Sequence, residues 1–144
     1  MLKIRSEQIR TFQTDAEESF VGRVTDYILE NHAEDLVKLP AAETTIAKMP
    51  AKNLRVLVKT GIEKARLCGV EWKSNLLAFV TMMIVGAPNF TDYEKARLIL
   101  INEKLTAEER VEQLTKEMTD ADWAAVAENY DPFKWNFLTE EKFV

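Results

Sequence analysis

Few side chains in this sequence are of the kinds that do chemistry, and their spacing limits what they can do. His32 is the only histidine, so the chain can form neither a His–His metal pair nor a histidine dyad. It follows Asn31 near the predicted end of a helix, where an imidazolium meets the dipole favourably, a surface role. Cys68 is the only cysteine, which excludes an internal disulfide and fits a reducing, cytoplasmic setting. Arg66 nearby would favour a thiolate if the side chains met. The predicted helix C-terminus and the neighbours Leu67 and Gly69 instead favour a small, neutral core residue. Asp120 and Asp122 have the separation of an acid pair, the minimum for a small hydrolase. They also follow Thr119 at a predicted helix start, where capping is the stronger reading. Glu108, Glu109 and Glu112 fall in or beside another first turn, where acids offset the dipole. No Gly-rich phosphate loop, nucleophile elbow or Cys/His zinc spacing occurs. The expectation is a non-enzyme with no catalytic residue, cofactor, metal or small-molecule substrate.

The elements around these residues are helical by pattern. Ile9, Phe12, Ala16, Phe20, Val24, Tyr27 and Ile28 recur at spacings of three and four behind Ser6, a suitable N-cap. A shorter helical piece is predicted from Ala33 to Leu39, stopped by Pro40, and then a connection to Met49. Pro50 suits a helix start, and Leu54, Leu57, Val58, Ile62 and Ala65 face inward up to Cys68, with Gly69 as terminator. Leu76, Leu77, Phe79, Val80, Met82, Met83, Ile84 and Val85 follow, apolar almost all the way round. Such a helix must be buried by other helices or by a partner, so it marks the centre of the fold. Thr91 with Glu94, and Thr106 with Glu109, read as capping boxes opening two further helices. Thr119 caps a last one, with Trp123, Val126, Ala127 and Tyr130 inward. The predicted fold is an all-α, single-domain helical bundle of six or seven helices over residues 1–130. An extended aromatic tail is predicted over 131–144, where Phe133, Trp135 and Phe137 alternate at a period of two.

Composition agrees. A chain of 144 residues with 47% apolar residues can bury a core, and four Gly with four Pro are too few for a turn-rich β architecture. A net charge of -5 disfavours nucleic acid, since phosphate contacts need a basic footprint. The apolar run at Leu76–Val85 is half of what a bilayer requires, so no membrane span is expected. The first thirty residues carry Arg5, Arg10, Glu17 and Glu18 without an apolar signal core.

Two features are candidates for binding a protein partner. One is the aromatic tail, with Tyr130, Phe133, Trp135 and Phe137 as residues that either strap the bundle or anchor a partner. The other is the basic face at Lys52, Arg55 and Lys59, either solvated against the acidic N-terminal helix or free to steer an acidic partner.

The opening MLKIRSEQIRTF with Phe20 and Arg23 resembles the start of a family of small helical bacterial proteins. These are encoded beside type VI secretion effectors, spike proteins and adaptors. The segment LVKTGIEKARLCGV resembles that family's central pattern and keeps Gly61, Ile62, Ala65 and Gly69. It departs from it at Lys64, Cys68 and Val70, where arginine, tyrosine and isoleucine are usual. NFTDYEKARLILINEKLTAEERVEQL resembles the segment after the family's buried helix. The likeness covers residues 1–118; residues 119–144 have no counterpart in it. It implies an effector-module accessory protein, a co-adaptor or chaperone, or else a cognate immunity protein that neutralises a toxin, and it supplies no catalytic residue.

Overall fold

Helix α1 (Ser6–His32) begins the chain; the computed structural model describes residues 6–136, with side chains described over 16–135. Phe20, Val21, Val24 and Ile28 are its buried stripe, at the predicted three- and four-residue spacing. Ser6, Ile9 and Phe12 of the predicted cap and stripe have side chains outside the described set. Ala16 is exposed and Tyr27 is 41% exposed, since both lie at the edge of the arc that faces the bundle.

The piece predicted as a helix from Ala33 to Leu39 is instead one arm of a hairpin. Strand β1 (Leu36–Lys38) pairs antiparallel with β2 (Glu43–Thr45), with Leu36 opposite Thr45, Val37 opposite Thr44 and Lys38 opposite Glu43. Three causes override the helical pattern. A seven-residue helix is too short to hold itself. Pro40 pushes Leu39 away from α geometry. The β-branched Val37, Thr44 and Thr45 suit a pleated surface, and Val37 and Ile46 are fully buried beneath it.

Helix α2 (Ala51–Leu67) starts behind Pro50, whose missing N–H is no loss there, and buries Leu54, Leu57, Val58, Ile62 and Ala65. Gly69, with φ of 88°, turns the chain out of it as predicted. Helix α3 (Lys73–Thr81) then runs into a π turn, Met82–Gly86, closed by the Ala87 N–H donating to Met82 O at 3.2 Å. The two helices cross closely at Gly61. A β-carbon there would stand 3.0 Å from Val80 Cγ2, so glycine is what lets the backbones meet.

The all-round apolar helix proves to have two different faces. Leu76, Phe79, Val80, Met83 and Ile84 are buried under α2 and the later helices. Leu77, Met82 and Val85, which the sequence places with them at the centre, are only half-buried, as is Ala78.

The capping box predicted at Thr91 and Glu94 does not form. Phe90–Asp92 is a 3-10 turn, and Tyr93 precedes α4 (Glu94–Leu100) with no side-chain cap. Phe90 is buried edge-on against Phe79 at 5.2 Å, which holds the chain in the tighter turn. The second box is real. Thr106 Oγ1 accepts from Glu109 N at 3.1 Å, and Glu109 Oε1 accepts from Thr106 N at 3.0 Å, opening α5 (Ala107–Glu117). Thr119 and Asp122 repeat the arrangement at α6 (Asp120–Glu128).

The described fold is thus a helical bundle with one two-stranded hairpin. Among the described residues no helix is long and apolar enough to cross a membrane. If the Gly61 crossing holds α2 against α3, Gly61→Leu is expected to lower the unfolding free energy by about 2–3 kcal/mol. Val80→Ala in that background should recover part of the loss, measured as a double-mutant cycle in urea. A cycle with no coupling would place the contact elsewhere.

Candidate partner-binding groove

Of the chemically capable residues, Asp122 and His32 are held in structural bonds. Asp122 sits at the third position of α6, where its Oδ2 accepts from Lys95 Nζ at 2.7 Å and from the Thr119 N–H at 2.8 Å. Its Oδ1 accepts from the Tyr93 hydroxyl at 2.8 Å. The Lys95 ammonium first, then the Thr119 N–H and the Tyr93 hydroxyl, hold this carboxyl far below the usual carboxylate range. The same contact pushes the Tyr93 hydroxyl up. Asp122 is therefore an anionic clamp joining α4 to α6. Asp120 is exposed at the first position of α6, where an acid offsets the dipole.

Cys68 lies half-buried at the C-cap of α2, and burial pushes its thiol up against the weaker pull of Lys64 and Arg110. A raised thiol is a poor nucleophile, in line with the small core residue of the sequence reading. His32 ends α1 with Nδ1 2.9 Å from Asp35 Oδ2, a local contact at the helix terminus.

Arg55 and Lys59 of the predicted basic face, and Tyr130 and Trp135 of the predicted tail, are engaged within the chain. Arg55 Nη2 and Lys59 Nζ both lie 2.8 Å from the Glu18 carboxylate on α1, and the Arg66 guanidinium makes two 2.8 Å bonds to Glu17. Lys59 and then Arg55 hold the Glu18 carboxyl below its ordinary value. The acidic element facing the basic helix is thus α1 itself; Lys52 is exposed beside it.

The tail is not extended where it is described. Pro132–Asn136 forms a 3-10 turn, started by Asp131 Oδ1 accepting from the Phe133 N–H at 3.0 Å. The alternation of Phe133 and Trp135 therefore does not put them on one side. Trp135 is fully buried and its Nε1 donates to the Tyr130 hydroxyl at 2.9 Å. That hydroxyl also accepts from the Lys38 N–H at 3.3 Å, so tail and hairpin are joined. Burying an indole outweighs the preference for an open strand. Phe133 is 67% exposed, and Phe137 and Phe143 lie outside the described residues.

A different surface is left open. The half-buried face of α3 and its π turn forms the floor of a groove of about 450 Å³, open to solvent. The floor residues are Ser74, Leu77, Ala78, Thr81, Met82 and Val85, a stripe at the helical spacing of three and four. Tyr27 of α1 forms one wall, and Thr115 of α5 with Trp123 and Ala127 of α6 forms the other. Thr81 Oγ1 donates to Leu77 O at 2.8 Å and Thr115 Oγ1 to Val111 O at 3.1 Å. Both hydroxyls are thereby turned back on their own helices. The groove is mainly apolar in consequence, with surface that a bound group would remove from water.

Trp123 is set by its neighbours. Its ring is tilted against Phe90 at 5.9 Å, and a β-carbon at Gly86 would stand 2.9 Å from its Cζ3. Glycine at the end of the π turn makes room for that wall.

The sequence reading assigned Leu77, Met82 and Val85 to the core and Trp123 and Ala127 to inward faces, and so missed the groove. The signal present was the all-round apolarity of Leu76–Val85, which named a partner as one of two possible covers.

Comparison of the chain with family models, with curated proteins and with solved structures finds no match.

The Asp122 clamp generates a pH test. A carboxyl whose folded pKa is depressed stabilises above its unfolded value and loses that contribution as pH falls towards the folded one. Asp122→Asn is expected to melt below the parent at pH 7, with the gap narrowing as pH falls below about 4. Thermal melts of the two proteins across that range check it. A gap independent of pH would mean that the clamp is not ionic.

Proposed function

We propose that the protein is a non-catalytic protein-binding accessory factor of a bacterial type VI secretion effector module, acting as a co-adaptor or chaperone. The observation that carries the binding part is the open apolar face of the central helix. A helix apolar on every side needs cover on every side, and among the described residues α3 receives it fully on one side only. Exposed apolar surface that is grooved and walled by aromatic side chains is characteristic of an interaction site. The resemblance of residues 1–118 to the effector-associated family supports the setting.

A non-catalytic role is favoured by how the reactive groups are used. Asp122 is saturated by Lys95, Tyr93 and Thr119, so a small hydrolase at Asp120 and Asp122 would need that clamp dismantled. The second reading within the same setting is a cognate immunity protein. It would use the same groove to neutralise a toxin.

Deletion in the producing bacterium separates the two. For a co-adaptor, loss of the chain is expected to abolish delivery of the neighbouring effector while the cells remain healthy. Self-poisoning that disappears when the toxin is inactivated would instead identify an immunity protein. Purified protein should co-elute with the effector or adaptor encoded beside it. Failure to bind any product of that gene neighbourhood would overturn the secretion setting.

A further inference from the structure

We propose that the groove seats an amphipathic helix of a protein partner, with basic residues flanking its apolar stripe. The inference rests on the protein-binding reading above and names the partner's chemistry. Shape comes first. The floor from Ser74 to Gly86 is itself a helix face, about 18 Å along the axis, with ridges at three- and four-residue spacing. Ridges of that spacing take the grooves of another helix, and Ser74, Ala78 and Thr81 are small enough to allow close approach. With the hydroxyls of Thr81 and Thr115 turned inward, the surface offers apolar contact rather than the row of backbone partners that an added strand needs.

Charge decides the partner. One turn from the wall residues Tyr27, Thr115 and Trp123 stand Glu30, Glu112 and Asp120, all exposed. None of the three makes an ion pair among the described residues. By the same one-turn measure the bases are Arg23, from Tyr27, and Lys73, from Leu77, and both lie over the Phe20 ring at 5.9 Å. Acids without an ion-pair partner thus outnumber bases one turn from the lining, and an apolar helix edged with Lys or Arg complements them. The chain's own residues 137–144 carry Glu140 and Glu141 against Lys142 and are of the wrong sign. A second copy brings a net charge of -5 to an acidic rim and is disfavoured for the same reason.

Fluorescence anisotropy with two designed helical peptides tests this on the full chain. Both carry the same Leu and Ala stripe; one is flanked by Lys, its twin by Glu. The Lys peptide is expected to bind saturably, at least about tenfold tighter than the twin at low salt, with the difference shrinking as salt is added. Ala78→Lys, and independently Tyr27→Glu on the exposed wall, should each weaken binding at least about tenfold while melting like the parent; Lys48→Glu, at an exposed position outside the groove, should leave it unchanged. Equal affinity for both peptides would overturn the basic partner. Binding of neither peptide, while the neighbouring effector is still captured, would overturn the groove as a helix site and leave the protein-binding reading standing. A dimer of the full chain that Ala78→Lys dissolves would make the occupant a second copy and overturn the proposal.

Discussion

The close crossing of α2 and α3 at Gly61 and Val80 is the constraint on which the rest of the structure depends. Two helices meet this tightly only where one lacks a side chain, and Gly61 has the Val80 side chain where a β-carbon would point. Gly69 supplies the left-handed residue that folds α3 back onto α2 after a short connection. Together these two glycines aim Leu76, Phe79 and Val80 into the core, where Phe90 meets Phe79 edge-on and Trp123 lies tilted against Phe90. Each fully buried side chain of this kind contributes about 1.5–3 kcal/mol relative to exposure, so the crossing faces of α2 and α3 supply a large share of the apolar stabilisation.

The same constraint produces the groove. A helix presents its whole circumference, but α2 can cover only the arc that faces it. The π turn at Met82–Gly86 continues the division made by α3: Met83 and Ile84 stay buried while Met82 and Val85 remain at the open side. Tyr27, Thr115 and Trp123 then rise as walls because α1, α5 and α6 pack around the rim of α3 rather than over it. The groove is the part of the central helix that the described residues do not cover. The polar clamps are consistent with a scaffold role: Glu17 and Glu18 tie α1 to α2, and Asp122 ties α4 to α6. Exposed pairs of this sort fix orientation more than they stabilise.

How much of this was legible follows from the range over which each signal acts. Capping at Thr106 and Thr119 and the turn at Gly69 are local and could be read from a few residues. The buried stripe of α2 was equally plain, being a single face at helical spacing. Signals fail where tertiary contact decides between local options. Thr91 and Glu94 have the spacing of a capping box, yet burial of Phe90 against Phe79 imposes a tighter turn. Val37 could sit in a short helix or a strand, and pairing with the Glu43–Thr45 arm selects the strand. Trp135 lies in an alternating run, but its indole finds Tyr130 and a buried position, which alternation cannot foresee. The basic face was legible as a charge pattern, and its partner was one of the two options read, the acidic α1. The groove was hardest, because an apolar run does not say which of its sides the chain will cover.

The neighbouring pair Leu76 and Leu77 tests this division of α3 most directly, by equilibrium unfolding of Leu76→Ala and Leu77→Ala side by side. Leu76 is 1% exposed and Leu77 lines the groove floor. Leu76→Ala is expected to cost about 2–5 kcal/mol, and Leu77→Ala about 1 kcal/mol or less. Equal losses at the two positions would mean that both faces of the central helix are covered, and would contradict the open groove.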